Sequence, residues 1–253
     1  MGSDPLQFLP NRGRVLAALQ KLELLVVQDL FLTDTARLAH IILPAATGAE
    51  KSGSFTSADN RVQCFTAAVK PAGDARTDAD ILTALYRTVA ADAAAVPDSL
   101  DALHHEITAL TNLYSEACDH QGCRMGRIKN RTVTSAAVPL TPLVPAAASR
   151  PFALTIGSLQ HHNGSMTTRS ENNLLVVGEA YVELSCQDAA SAGIAAGDLL
   201  AITSDIGSVS LKAKVSGHLQ PGALFVPAHF RDAAINTLTG SASYPQYVSI
   251  AKG

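Results

Sequence analysis

The sequence predicts two modules in one chain: an α/β region built on a parallel sheet, followed by a small closed β-barrel. Three observations carry this. Two short all-apolar stretches, 24–27 and 41–43, are separated by a segment of helical character; continuous apolar strands alternating with helices indicate a parallel sheet covered on both faces. Beyond residue 150, apolar or alternating stretches at 154–157, 181–184, 199–203, 209–215 and 224–226 are punctuated by Gly193, Gly197-Asp198, Asp205-Ile-Gly207 and Pro221-Gly222, the spacing of a small barrel. Between them the chain runs through Pro139, Pro142 and Pro145 and alanines 146–148, a composition that suits an interdomain linker. With 253 residues, 47% of them hydrophobic, the chain is long enough for two domains of roughly 100–150 residues. The expected divisions are 1–96, 97–149 and 150–253.

Local patterns place the elements in order. Val15, Leu16, Leu19 and Leu22 fall on one helical face ahead of the first strand. Thr33 can cap a short helix reaching Ala39 before the second strand. Asp78, in Asp74-Ala-Arg-Thr-Asp78, precedes the apolar helix face Ile81, Leu82, Leu85 and Val89, which suggests that it caps that helix. Pro97-Asp-Ser opens another helix with Leu100, Leu103, Ile107, Leu110 and Tyr114 on one side. Near the barrel, a helix over 187–192 ends at Gly193, as a helix with a glycine C-cap should.

Several classes are set aside by composition. A net charge of −3 without a Lys/Arg block gives no reason to expect nucleic acid, and Arg124, Arg127, Lys129 and Arg131 read as a solvated turn. No apolar run approaches the roughly 20 residues that span a bilayer. The first 25 residues hold Arg12, Arg14 and Lys21 with no h-region or cleavage site. The expectation is a cytoplasmic protein without direct membrane insertion. Cysteines 64, 118, 123 and 186 are too scattered for a disulfide framework. Cys118 and Cys123 bracket His120, but a tetrahedral site wants a fourth ligand that nothing nearby supplies, so ordinary thiols are expected. No Gly-x-Ser-x-Gly, His-Glu-x-x-His or phosphate-loop pattern occurs.

Two separated sets of motifs form a matched pair. The first is Leu24-Leu-Val-Val-Gln-Asp29, Thr33-Asp-Thr-Ala36, Ile41-Ile-Leu-Pro44, Glu50-Lys-Ser-Gly-Ser-Phe-Thr56 and Asn60-Arg-Val-Gln63; the second is His161-His-Asn-Gly-Ser-Met-Thr-Thr-Arg-Ser170, Asp188-Ala-Ala-Ser-Ala-Gly-Ile194 and Gly197-Asp198. Together they resemble the C-terminal half of the molybdopterin oxidoreductase superfamily, which includes formate dehydrogenases, nitrate reductases and the large iron–sulfur (G) subunit of bacterial NADH-quinone oxidoreductase. The resemblance implies an incomplete Rossmann-like parallel sheet followed by a double-psi β-barrel. Met1-Gly-Ser-Asp-Pro5 is similar to the end of a family core strand, so one sheet edge is expected to lack a neighbour and a partner segment or subunit of a redox complex to cover it. The family's iron–sulfur ligand set has no counterpart in this sequence, and no cluster is expected on this chain.

Site residues follow from position and resemblance together. Asp29 ends an apolar strand of a parallel sheet, where ligands bind; turn formation is the reading that the residues alone favour. Lys51 lies in a Glu-Lys-Ser-Gly turn, where a surface role is usual. The resemblance implies that Asp29, Lys51 and Asp78 contact the guanosine end of a molybdopterin guanine dinucleotide. In the segment 155–168, Gly157 permits close backbone approach while Thr155, Ser158, His161, His162, Asn163, Ser165 and Thr167 supply donors; a loop His pair is otherwise a surface feature. Asn236 matches a further family contact, or closes a turn.

Three departures suggest an eroded cleft. The His-rich loop is shorter than in many dinucleotide-binding relatives and closer to the pattern of the NADH-quinone oxidoreductase G subunit. The family's "Pro-x-Tyr-Lys" is Pro245-Gln-Tyr-Val248, and an aromatic common after Pro227 is Ala228. The expected function is therefore a scaffolding module most similar to that G subunit, associated with the inner membrane only through its complex. The alternative is part of a molybdenum or tungsten formate dehydrogenase, and a weaker one is a stand-alone barrel adaptor.

Overall fold

A computed structural model describes residues 1–58, 61–90, 96–97, 99–111, 126–127, 150–160, 162, 164–240 and 246–253. The chain divides into two units, Met1–Ser3 with Leu24–Leu140 and Asp4–Glu23 with Thr141–Gly253.

In the first unit, β1 (Val26–Asp29) and β2 (Ile41–Pro44) pair in parallel, Val26 opposite Ile41 and Asp29 opposite Pro44. Thr33 Oγ1 accepts from Ala36 N at 3.1 Å, but in place of the expected helix reaching Ala39 only a 3-10 turn follows, Ala36–Leu38, whose N-cap residue is Thr35 rather than Thr33. On the pair's outer edge Gln28 O accepts from Gly2 N at 2.8 Å. Val26, Ile41 and Ile42 remain 43–47% exposed, although apolar parallel strands are ordinarily covered. The hairpin β3 (Gly53–Thr56) and β4 (Arg61–Phe65), joined by β5 (Gly126–Arg127), was not anticipated. Its polar, weakly alternating residues gave no strand signal, and the stacked rings of Phe55 and Phe65, 5.0 Å apart, pin the pairing.

Helix α3 (Asp78–Val89) buries Ile81 but leaves Leu82, Leu85 and Val89 exposed. Helix α4 (Leu100–Leu110) is capped by Ser99 Oγ, which accepts from Ala102 N at 3.1 Å. Tyr114, Cys118, His120 and Cys123 lie outside the described residues, as do most of those expected to form the linker.

The second unit is built on a closed six-stranded barrel: β6 (Phe152–Gly157), β7 (Tyr181–Ser185), β8 (Leu199–Thr203), β9 (Ser208–Ser216), β10 (Ala223–Pro227) and β11 (Gln246–Lys252), in spatial order β10-β6-β11-β8-β9-β7. Two pairs, β6 with β10 and β7 with β9, are parallel and the rest antiparallel. Alternation turns Leu154, Val182, Leu184, Leu200, Ile202 and Val226 into one core. Strand β11 has too short an alternating run to announce itself. Helix α5 (Cys186–Ala192) starts on Ser185 and ends on Gly193 at φ +62°, where the expected glycine escapes the Cβ penalty of the left-handed region.

Residues 4–23 belong to this unit, as α1 (Pro5–Phe8) and α2 (Arg12–Leu19). Asn11 N donates to Thr239 O at 2.7 Å and to Asn236 O at 3.1 Å, and Leu6 is buried. Among the described residues no helix is long and apolar enough to cross a membrane.

Candidate functional site

At the carboxyl ends of β1 and β2, three polar side chains of the first unit meet. Arg76 N donates to Pro44 O (3.1 Å) and Ala46 N to Arg76 O (2.8 Å), which fastens the turn before α3 to the end of β2. Thr77, rather than Asp78, caps α3: its Oγ1 accepts from Asp80 N at 3.1 Å. The capping role expected of Asp78 is thus corrected, because Asp78 is the first helical residue and its carboxylate is left for other partners. Gln28 Nε2 donates to Asp78 Oδ1 at 2.6 Å and Lys51 Nζ to Oδ2. Lys51 is delivered by a capping box, in which Thr47 N donates to Glu50 Oε2 at 2.9 Å. The ammonium's hydrogen bond holds the Asp78 carboxyl below its ordinary value; burial opposes this and the Gln28 bond adds to it.

Lys51 and Asp78 line a cleft of about 1120 Å³ whose apolar walls include Phe55, Leu82 and Tyr86. Asp29 does not line it. Its Oδ1 accepts from Leu30 N (2.7 Å) and Phe31 N (3.2 Å), the turn-forming role, and its position at the end of a parallel strand is as expected.

In the second unit, Thr155 on β6 and Ser158 beyond it are exposed. The absent side chain of Gly157 admits the ring of Phe225, which a Cβ would approach to 3.0 Å. Its carbonyl accepts from Ala228 N at 2.9 Å. Thr167 Oγ1 donates to Gly164 O (2.6 Å) and accepts from Gly164 N (3.1 Å), closing the loop, and Ser165 O accepts from Thr168 Oγ1 at 2.6 Å. His161 and Asn163 lie outside the described residues.

His162 is buried rather than on the surface. Its ring meets that of His229 edge-on at 4.6 Å, and Phe230 packs against both. Among the described residues, none of the four ring nitrogens has a hydrogen-bond partner. Burial, and secondarily the charge of His162, pushes the His229 pKa below its usual value. Asn236 is buried too, and its Nδ2 donates to Leu6 O (2.9 Å) and Leu9 O (2.8 Å).

Two of the residues in these clusters were missed from sequence. Gln28 is the one amide in an apolar strand, and His229 stands just after an apolar strand and Pro227; each was a signal of polar chemistry in an apolar setting. One departure also needs correction. Val248 is fully buried in the barrel core opposite Phe152, so a lysine there would bury its ammonium instead of offering it to a phosphate. Ala228 is followed directly by His229 and Phe230, whose rings lie 4.4 Å apart.

Residues 1–88 match the molybdopterin oxidoreductase family and residues 152–250 the molybdopterin dinucleotide binding domain. The chain belongs to the molybdopterin oxidoreductase superfamily. Among relatives in that superfamily, the NADPH-Fe(3+) oxidoreductase subunit alpha of Geobacter sulfurreducens is 38% identical over 94% of this chain and 28% of its own length. A G subunit of NADH-quinone oxidoreductase from Rhizobium meliloti is 35% identical over 99% of this chain and 29% of its own. A formate dehydrogenase subunit alpha of Methanocaldococcus jannaschii is 32% identical over 96% and 40%. The chain therefore spans 28–40% of the length of these superfamily members. Acetylene hydratase from Pelobacter acetylenicus shares the fold at a TM-score of 0.75 and 18% identity, over 90% of this chain and 36% of that one.

The donor set suits the superfamily's cofactor class. An imidazole carries polar groups suited to the edge of a flat heterocycle, and Lys51, in the first unit, is a cation suited to a phosphate.

Proposed function

We propose that this chain is the C-terminal, molybdopterin-dinucleotide-binding-type module of a redox subunit most like the G subunit of NADH-quinone oxidoreductase, mainly scaffolding, with a cofactor cleft partly closed on itself. One observation supports this above others: the groups that would face the guanosine end already satisfy one another. Asp78 is held by Lys51 and Gln28, and one Asp29 oxygen by its own turn. A dinucleotide has to displace those contacts, which lowers its net affinity. When bound, the group supplies metal-centred redox chemistry. Asp29, Lys51 and Asp78 would hold its guanosine end; Thr155, Gly157, Ser158, His161, His162, Asn163, Ser165, Thr167 and Asn236 would hold its pterin end.

The parallel pair β1–β2 supports an incomplete Rossmann-like sheet, and the two parallel pairs within the barrel support a double-psi topology. As domains we take 1–96 and 150–253 joined by 97–149, residues 4–23 packing with the second. The half-exposed Val26, Ile41 and Ile42 suit a partner segment or subunit that extends the sheet. A cytoplasmic place, peripheral to the inner membrane through the complex, belongs to the same proposal.

The second reading is a formate-dehydrogenase-type catalytic subunit, favoured by the buried His pair, whose ring nitrogens have no partner among the described residues. Metal and pterin analysis of the natively purified full assembly separates the two. Stoichiometric molybdenum or tungsten with guanine dinucleotide would sink the scaffold reading, and their absence the catalytic one.

A further inference from the structure

Gln28 is 4% exposed on β1, where its backbone pairs with Leu43 of β2. Its Nε2 donates to Asp78 Oδ1 at 2.6 Å, while Lys51 Nζ donates to Oδ2 of the same carboxylate. The two partners differ in kind. The amide is buried on a paired strand, whereas the Lys51 side chain is 30% exposed and ends a flexible four-carbon stem. Lys51 and Asp78 line the cleft and Gln28 does not, so the amide touches the carboxylate without facing the cleft itself. Holding α3 does not require it. The bonds from Arg76 N to Pro44 O and from Ala46 N to Arg76 O already fasten the turn before α3 to the end of β2, and Thr77 caps the helix. An apolar side chain in its place would pack into the strand without desolvating an amide, so packing alone does not account for a glutamine.

We infer that Gln28 is a positioning residue: it holds one Asp78 oxygen in place, so that the Lys51–Asp78 ion pair opens on the lysine side when a ligand binds and presents a fixed carboxylate oxygen beside a released ammonium. This rests on the proposal that Lys51 and Asp78 face the guanosine end of a dinucleotide. A ligand that offers an N–H donor and an anionic oxygen replaces both halves of the pair at once, the N–H donating to Oδ2 and the ammonium moving to the anion. Without the amide, drawing Lys51 away leaves the carboxylate with neither of its present side-chain partners. With the amide, Oδ1 stays satisfied throughout and the direction of Oδ2 is set before the ligand arrives, which lowers the ordering cost of binding. Lys51 is thus the exchangeable arm of the cluster and Gln28 its anchor.

The test uses the full chain with guanosine diphosphate as the probe and two variants, Gln28→Leu and Gln28→Glu, each shown to be folded by a cooperative melting transition. In the wild type, the Lys51 side-chain resonances should shift on adding the nucleotide while the Gln28 amide keeps its contact to Asp78. Gln28→Leu should raise the Asp78 carboxyl midpoint, since a hydrogen bond that lowers it is gone, and should weaken the nucleotide about tenfold, the scale of one hydrogen bond to a charged group. Gln28→Glu sets two carboxylates against each other at neutral pH. Like charge pushes the introduced carboxyl upward, and once protonated its O–H donates to Asp78 as the amide did. Measured against wild type at the same pH, its affinity should be low near neutrality and recover as pH falls through that carboxyl's midpoint. Unchanged nucleotide affinity in Gln28→Leu overturns the inference, whatever the variant's stability, and so does a Gln28→Glu variant that stays weak after protonation. A nucleotide that shifts the Gln28 amide and leaves Lys51 unmoved overturns it too. In each of these cases the guanosine-end reading stands as long as Asp29→Ala still weakens binding. If the wild type binds no nucleotide, the inference falls together with that reading.

Discussion

Asn236 Nδ2 donates to the carbonyl of Leu6 at 2.9 Å across 230 residues of sequence, and to that of Leu9 at 2.8 Å. One buried amide thus ties the N-terminal arm to the barrel unit, at a residue that resemblance alone marks as a cofactor contact.

Replacing Asn236 by Ala removes both bonds and leaves two carbonyls under-satisfied. The expected loss is about 1–3 kcal/mol of unfolding free energy, seen by urea denaturation. Asn236→Asp should cost more, because it sets a carboxylate oxygen against two carbonyls. An unchanged midpoint for both variants would show that the arm is held by other contacts.

Asp78 carries a pH signature. Its folded pKa is depressed, chiefly by Lys51, so its contribution to stability is present above the unfolded value of about 4 and is lost as pH falls through the folded value. With the side chains of Lys51 and Asp78 30% and 38% exposed, solvent screening limits the pair to about 0.2–1 kcal/mol. Carboxyl titration by NMR should show the Asp78 midpoint rising in Lys51→Gln. A midpoint that stays in place would remove Lys51 as the cause.

Val248→Lys distinguishes a core position from a phosphate-facing one. Because Val248 is buried in the barrel, the ammonium has no partner there and stability should drop by roughly 3–5 kcal/mol, with no gain in guanine nucleotide affinity. A variant as stable as wild type that bound the nucleotide more tightly would place the side chain outside the core.

Guanosine diphosphate should bind the wild-type chain weakly, and Asp29→Ala should weaken it by a further tenfold or more, a charge-assisted hydrogen bond being worth about 1.5–3 kcal/mol. Calorimetry on folded samples measures both. Tight wild-type binding would move the formate-dehydrogenase-type reading to first place.

The amino-acid sequence by itself determined the local elements whose signal is periodic or conformational. The apolar runs that became β1, β2 and β6 to β10, and the helix ended by Gly193, were all legible, because apolar periodicity and positive φ are properties of neighbouring residues. The family was legible for the same reason, as strings of adjacent residues. Only tertiary structure decided what each polar group faces. Thr77 took the cap and released Asp78 to Lys51 and Gln28; Asn236 turned to Leu6 and Leu9; Val248 turned into the core; and His229 came against His162. These pairings join residues as far as 230 positions apart, and they are fixed by burial and hydrogen-bond satisfaction across the folded unit, which no local pattern encodes.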